Sequence, residues 1–586
     1  MPIVPRRAPA RRQILAGLFA VVLATGACAG PPAPSGPASP IAGAATPIPS
    51  ASASGPTCPP PVPGLPSGQR WWADRVFYEV FVRSFADSDG DGIGDLRGLT
   101  DRLDYLNDGD PATTDDLGVT GLWLMPVAES PSYHGYDVVD YRTVESDYGS
   151  NDDFRALVSA AHERGINVVV DFVINHTSVQ HPWFVDARTP GSEHDDWYVW
   201  LDQPPGWAGP SGQTVWYPAG GRSYYGLFWE GMPDLNLENP KVTAELVDVA
   251  RFWLEEMAVD GFRLDAAQHL IEEGASQVDT TATHAWLGGF RDGIHAIRPD
   301  ALVLGEVFNT RLVSASYVDS GSLDLVFDFD LAGTIRNAAR LGDAMSVVAS
   351  LAELGARYPT GGVATFLSNH DQNRVMSELR GDFGAARSAA AVLLTAPGVP
   401  FLYYGEEVGL QGRKPDPEIR SPLPWTTAQP GRGFTSGTPW EAFAPGVESA
   451  TVGTQTANPD SLLSAYRDLV RLRGERPGLS GGTLIPASTD SPSVAAWLSV
   501  GSGETLLIVH NLSDEDLSGV GLTFGAGSLC GVPTAEVLGA VPASAASDGP
   551  VGNVSGPDVR PDGGVDGYVP LDRLPAHSSW VIRVSP

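Results

Sequence analysis

Three carboxylates stand at the ends of short apolar runs. Asp265 closes Gly261-Phe262-Arg263-Leu264, Glu306 follows the run 301–305, and Asp371 lies in Phe366-Leu367-Ser368-Asn369-His370-Asp371. Arg263, His176 and His370 accompany them. Two carboxylates flanking one bond are the minimal apparatus for glycoside hydrolysis, one attacking or activating water while the other protonates the leaving oxygen. Any one of these acids alone reads as a helix cap or a solvated charge. Their recurrence after successive apolar runs is what marks a site.

Positioning them requires a frame in which successive strands end at one rim. The run 76–81 reads as a strand, as do 119–125, 166–173, 261–264, 301–304 and 401–404, several of them too uniformly apolar for a sheet with a wet face. Helical spacing covers 101–106, 151–164, 246–257, 283–297, 385–395 and 461–473. Alternating strands and helices over one long domain predict an α/β fold, a closed (β/α)8 TIM barrel, whose active site lies at the strands' carboxyl ends. The stretch 177–240 interrupts the alternation with Trp183, Trp197, Trp200, Trp216, Tyr224, Tyr225 and Trp229 among Gly, Pro and Asp. It reads as an irregular subdomain inserted after strand 3, some rings holding it together and others offering a sugar platform. Short alternating strands at 493–497, 505–509, 535–538 and 580–582 predict a C-terminal antiparallel β-sandwich. The expected organisation is a leader over 1–27, a linker over 28–70, the barrel over 71–176 and 241–478, the insertion over 177–240 and the sandwich over 479–586.

The chain has 586 residues and a formal net charge of −33, with 37 basic and 70 acidic side chains. That balance excludes a nucleic-acid binder, which needs a basic footprint, and adhesion of the folded body to anionic lipid. Four arginines (Arg6, Arg7, Arg11, Arg12), an apolar run 14–25 and small residues before Cys28 form an export leader. Lipidation at Cys28 and ordinary secretion are both open, so the expected location is the cell surface as a lipoprotein or the medium, with membrane contact only through that anchor. Residues 29–69 carry no charge and are rich in Pro, Ala, Ser and Gly, as a tether would be. Of the three cysteines, Cys58 and Cys530 could pair in an oxidising compartment; two unpaired thiols are the alternative. A monomer is expected.

Seven blocks in order resemble the signature regions of the α-amylase superfamily of glycoside hydrolases, glycoside hydrolase family 13, over about residues 71–586. Besides the blocks around Asp265, Glu306 and Asp371, they are Asp171-Phe172-Val173-Ile174-Asn175-His176, the stretch 118–126, Tyr133-His134-Gly135-Tyr136-Asp137 and the stretch 398–407. Met232-Pro233-Asp234-Leu235-Asn236 is similar to the marker of members intermediate between oligo-1,6-glucosidases and neopullulanases. The resemblance implies that Asp265 is the nucleophile, Glu306 the general acid and then base, and Asp371 the carboxylate favouring an oxocarbenium-like transition state. It implies that Arg263 orients Asp265, that His176, His370, Tyr136 and His134 contact the sugar, and that Arg374 belongs to the substrate-binding set. Asp265 beside Arg263 is expected to titrate low and Glu306 high.

Asp87-Ser88-Asp89-Gly90-Asp91-Gly92-Ile93-Gly94-Asp95 places hard oxygen ligands at alternate positions. The opening resembles an EF-hand loop, but the glutamate at position twelve and the flanking helix pair are missing. A similar loop in the family binds Ca²⁺, which implies Asp87, Asp89, Asp91, Asp95 and the Ile93 carbonyl as ligands. An acidic turn tied by Asx bonds is the alternative. Asn175 is the candidate for a second Ca²⁺ site. Ala266, where α-1,6-specific members tend to carry Val, leans toward α-1,4 bonds. The favoured reading is an endo-acting α-amylase on starch and maltooligosaccharides. The alternatives are an α-glucosidase or a neopullulanase- or cyclomaltodextrinase-like transglycosylase, and a silent glucan-binding protein.

Overall fold

The structure, a computed structural model, describes residues 70–547 and 552–585. The leader, Cys28, Cys58 and nearly all of the linker lie outside the described residues. Cys530 is disulfide-bonded.

Eight parallel strands close into a barrel in sequence order. They are β1 (Phe77–Val80), β2 (Gly121–Leu124), β3 (Asn167–Phe172), β4 (Gly261–Leu264), β5 (Leu302–Gly305), β6 (Leu325–Phe327), β7 (Val363–Phe366) and β8 (Val399–Tyr403). Two of these, β6 and β7, escape the sequence reading, β6 being only three residues long. Because side chains alternate along a strand, each one feeds two cores. Phe77, Trp123, Val169, Leu302, Leu304, Phe327 and Phe401 fill the interior, with Phe77 stacked on Phe401 at 4.5 Å. Tyr78, Val80, Leu122, Leu124, Val168, Val170 and Phe262 pack outward with the helices. The inward parity that begins at Phe77 and Val169 continues to Glu79 and Asp171, so the apolar interior gives way to charge at the carboxyl rim. Asp171 is also in register with Arg263 on the neighbouring strand.

Helix Asn151–Glu163 starts at a capping box of Ser150 and Asp153. The helix expected over 246–257 begins earlier, at Pro240 behind its cap Asn239, and ends in a π-helical turn, Phe252–Glu256. The insertion folds as a three-stranded antiparallel sheet of Trp200–Leu201, Trp216–Ala219 and Arg222–Tyr225. Most of its aromatics interlock: Phe184 meets Tyr198, Trp200 and Tyr224 at 4.9–5.6 Å between ring centroids.

The C-terminal domain has a six-stranded antiparallel sheet facing a three-stranded one. Its central strands, Val494–Gly501, Glu504–Asn511 and Ser579–Ser585, are longer than the sequence pattern suggests and largely buried. One face, with Ala495, Trp497, Leu506 and Ile508, joins the barrel's core. The other, with Ala496, Leu498, Leu507 and Val509, packs on Leu522, Phe524, Val565 and Tyr568. Among the described residues no helix is long and apolar enough to cross a membrane.

Candidate active site

The barrel delivers the three acids to one rim. Asp265 directly follows β4 and Glu306 directly follows β5, whose last residues pair as Leu264 with Gly305. The Glu306 N–H continues the ladder to the Leu264 carbonyl at 3.0 Å. Asp371 sits five residues beyond β7.

Arg263 organises the centre and is fully buried. Its Nη1 donates to Asp171 at 2.8 and 2.9 Å and to Asp265 Oδ1 at 2.8 Å, while Nη2 donates to Glu306 Oε2 at 2.5 Å. One planar guanidinium therefore holds the Asp265 and Glu306 carboxylates side by side. That arrangement suits the short separation of a retaining pair, about 5–5.5 Å. The Ala266 N–H also points at Glu306 Oε2, at 3.5 Å.

Burial raises the proton affinity of Asp265, and Arg263 only partly opposes it. This corrects the expectation of a low-titrating Asp265: one cation is shared among three acids in a dry site. Burial raises Glu306 too, again against Arg263, with Asp265 and Asp371 adding to the rise. Asp371 behaves oppositely. Burial would raise it, but His370 at 3.2 Å and Arg420 at 2.9 Å hold it far below the usual carboxylate range.

His134, Tyr136, His176, Asp265 and Asp371 line a cavity of about 270 Å³ together with Phe228, Trp229, Met232, Asp416 and Arg420. The turn that presents His134 and Tyr136 depends on Gly135, whose φ is +81° and where a Cβ would lie 2.8 Å from the Pro126 side chain. His134 Nδ1 accepts from the Tyr136 N–H at 3.1 Å, and burial lowers its proton affinity, so the ring is neutral. His176 is likewise neutral, lowered by burial to about 4. Tyr136 donates its hydroxyl to Asp171 at 3.0 Å.

Arg374 is misassigned by the sequence. It is 1% exposed and lies beneath the site, donating to the Ile419 and Tyr404 carbonyls at 2.8 and 2.6 Å and stacking on Tyr403 and Tyr404. The arginine that reaches the pocket is Arg420, which has no motif of its own. The sequence motifs assign no role to Asp171 or Glu79, although an acid inside an apolar strand run is itself a signal, because it must find a partner. Phe228 and Trp229, 43% and 47% exposed, are rings of the insertion that reach the cavity.

In the 87–95 loop, Asp87, Asp89 and Asp95 bring carboxylate oxygens within 4.8 Å of one another and could coordinate a metal ion. Gly92 makes the tight turn possible, with φ +100° and a Cβ position 1.9 Å from the Thr438 carbonyl oxygen. The Asp91 carboxylate is not part of that group; it accepts from the Ile93 N–H at 2.7 Å. Asn175 donates to Asp234 at 3.0 Å and leaves its Oδ1 buried without a partner.

Residues 79–482 match the family model described as alpha amylase, catalytic domain. The chain belongs to the alpha-amylase family. Within that family it is 38% identical to "Alpha-amylase 3" of Dictyoglomus thermophilum over 448 residues, 76% of this chain and 85% of that one. It is 33% identical to "Trehalose synthase/amylase TreS" of Mycolicibacterium smegmatis, over 77% of this chain and 85% of that one. Among solved structures, the alpha-amylase from H. orenii superposes with a TM-score of 0.74 at 37% identity, covering 87% of this chain and 99% of that one. As a family member the protein is a glycosidase-type enzyme, and the relatives it resembles are named as amylases, trehalose synthases and oligo-1,6-glucosidases.

Proposed function

We propose that the protein is a retaining α-glucosidase-type enzyme of short α-glucans that passes the glucosyl group to sugar acceptors as well as to water. The observation that carries this is the single Arg263 guanidinium bonded to both Asp265 and Glu306. Asp265 attacks the anomeric carbon while Glu306, whose proton affinity burial raises, gives its proton to the leaving oxygen. A covalent glucosyl-enzyme results, and Glu306 then removes a proton from water or from a sugar hydroxyl. Asp371, ionised beside His370 and Arg420, favours the positive charge that develops on the ring.

Two features support transfer. Arg420 bridges Asp371 and Asp416, at 2.9 and 3.5 Å, and walls one side of the cavity. Phe228 and Trp229 stand exposed at 43% and 47% beside it, flat faces on which an acceptor sugar can stack. The test is the product course on concentrated maltotriose, followed with starch, pullulan and isomaltose. Products longer than maltotriose at early times, with the α-anomer released first, are expected. Glucose and maltose alone at every concentration would reject transfer, and an early β-anomer would reject retention.

A second reading, endo-cleavage of internal α-1,4 bonds of starch, is favoured by the 38% identity to a protein named an alpha-amylase and by the Ala266 position. It requires a rapid fall in starch viscosity before glucose accumulates. We also infer that Ca²⁺ occupies the Asp87, Asp89 and Asp95 group as a structural ion, with the Ile93 carbonyl as a further ligand, since the donor set is all hard oxygen. Export through the arginine-rich leader completes the proposal. Mass spectrometry of the mature amino terminus distinguishes a diacylated Cys28 from an unmodified start.

A further inference from the structure

Glu79 lies on β1, 2% exposed, at the level where the barrel interior turns from apolar to charged. Its Oε1 is 2.6 Å from His370 Nδ1 and accepts from the His370 backbone N–H at 3.3 Å. At the other edge of the ring, Nε2 lies 2.6 Å from the Tyr136 hydroxyl and 3.2 Å from Asp371 Oδ2. The Tyr136 hydroxyl also reaches Asp171 at 3.0 Å, and the acceptors fixed at the two ring nitrogens are the carboxylates of Glu79 and Asp371. Both ring nitrogens therefore face acceptors, which only an imidazolium satisfies. Trp123 and Tyr136 pack on the ring, each with its centroid 5.6 Å away.

The charges around His370 come from every side: Glu79 from β1, Asp171 from β3, Arg263 and Asp265 at β4, Glu306 after β5, and Asp371 and Arg420 from loops. Burial lowers the ring's proton affinity, yet Asp371 and Glu79 outweigh it and lift His370 to about 10.

We propose that Glu79 is a positioning residue for the glycosyl-transfer step, anchoring His370 through Nδ1 so that a charged Nε2–H is presented to Asp371. This rests on the reading of Asp371 as the carboxylate of the −1 sugar. Glu79 itself touches no substrate and acts through the ring. Removing it leaves the imidazole anchored by one side only, and Asp371 loses a fixed cationic neighbour.

The test compares wild type with Glu79→Gln, which keeps an acceptor of the same shape but removes the charge, and with Glu79→Leu, which removes both. Histidine ¹⁵N NMR is expected to show a doubly protonated His370 through pH 9 in the wild type. In E79Q that ring should titrate lower by about one pH unit or more. With α-glucosyl fluoride, whose departure needs no proton from Glu306, the alkaline limb of kcat/KM should follow His370 and move down with it in E79Q. At pH 7 kcat should fall more than KM rises, about 10²-fold in E79L. A doubly protonated His370 and an unmoved alkaline limb in E79Q would overturn the proposal, whatever happens to Tm. Failure of E79L to fold leaves E79Q decisive. A wild type that turns over no α-glucoside would instead refute the proposed function, and the NMR comparison would still decide the role of Glu79.

Discussion

Around Arg263 the barrel buries Asp171, Asp265 and Glu306 on one guanidinium, whereas the loop after β1 leaves Asp89 and Asp91 at the surface and Asp87 half-buried, tied mainly to backbone N–H groups. The residue type is the same and the behaviour is opposite. In the first region desolvation dominates, protons are held more tightly than usual, and removing one partner leaves others unpaired in a dry site. In the second, Asp87 accepts from three N–H groups of its own loop, at 2.7–3.0 Å, and from the Thr435 hydroxyl, and its carboxylate lies within 4.8 Å of those of Asp89 and Asp95. Reactive acids need burial and an uneven share of a cation, while ligating acids need convergence and access.

The contrast can be broken most forcefully at Asp265. D265N should lower kcat about 10⁴-fold or more while the protein keeps its fold, seen by circular dichroism and turnover of maltotriose. Next comes Glu306. E306Q should lower kcat on maltooligosaccharides by about 10²–10⁴-fold. It should spare the first step with α-glucosyl fluoride, read as a burst of fluoride. The pH profile has a definite sign: Glu306 acts protonated, so wild-type activity on maltooligosaccharides falls as pH rises through its raised pKa. For E306Q with the fluoride substrate the limb set by Glu306 should be gone, leaving only the limb set by His370.

The loop should respond in stability rather than rate. Ca²⁺ at a hundred times its Kd should stabilise the wild type by about 2.7 kcal/mol, read as a rise in Tm, with kcat little changed. D87N should lose that rise. The smallest effect is expected for D91N, because Asp91 stands outside the converging group; its Ca²⁺-dependent Tm shift should be near that of the wild type. A D91N as damaging as D87N would mean that the ion draws Asp91 in.

Much of this was legible in the residue order. The barrel follows from the alternation of apolar runs and helical spacing, and Asp265, Glu306 and Asp371 stand where such runs stop. What escaped were features that depend on neighbours across the fold. Short strands such as β6 give too few residues for a period. Arg374 stands next to the Asp371 block in sequence, but the chain turns it under the pocket toward Tyr404, while Arg420 arrives from a loop with no pattern at all. The titration of Asp265 could not be inferred from Arg263 two residues away, because the cation's division among three acids appears only when β3, β4 and β5 are side by side.

The central claim is that Asp265 becomes covalently glycosylated while Arg263 holds Glu306 beside it. The direct measurement is mass spectrometry of the enzyme after reaction with a 5-fluoro-α-glucosyl fluoride, which slows release of the intermediate. The account predicts one fluoroglucosyl group per chain, on the peptide carrying Asp265 and absent in D265N. Label on Glu306 or Asp371, or an active enzyme that never accumulates label, would contradict it.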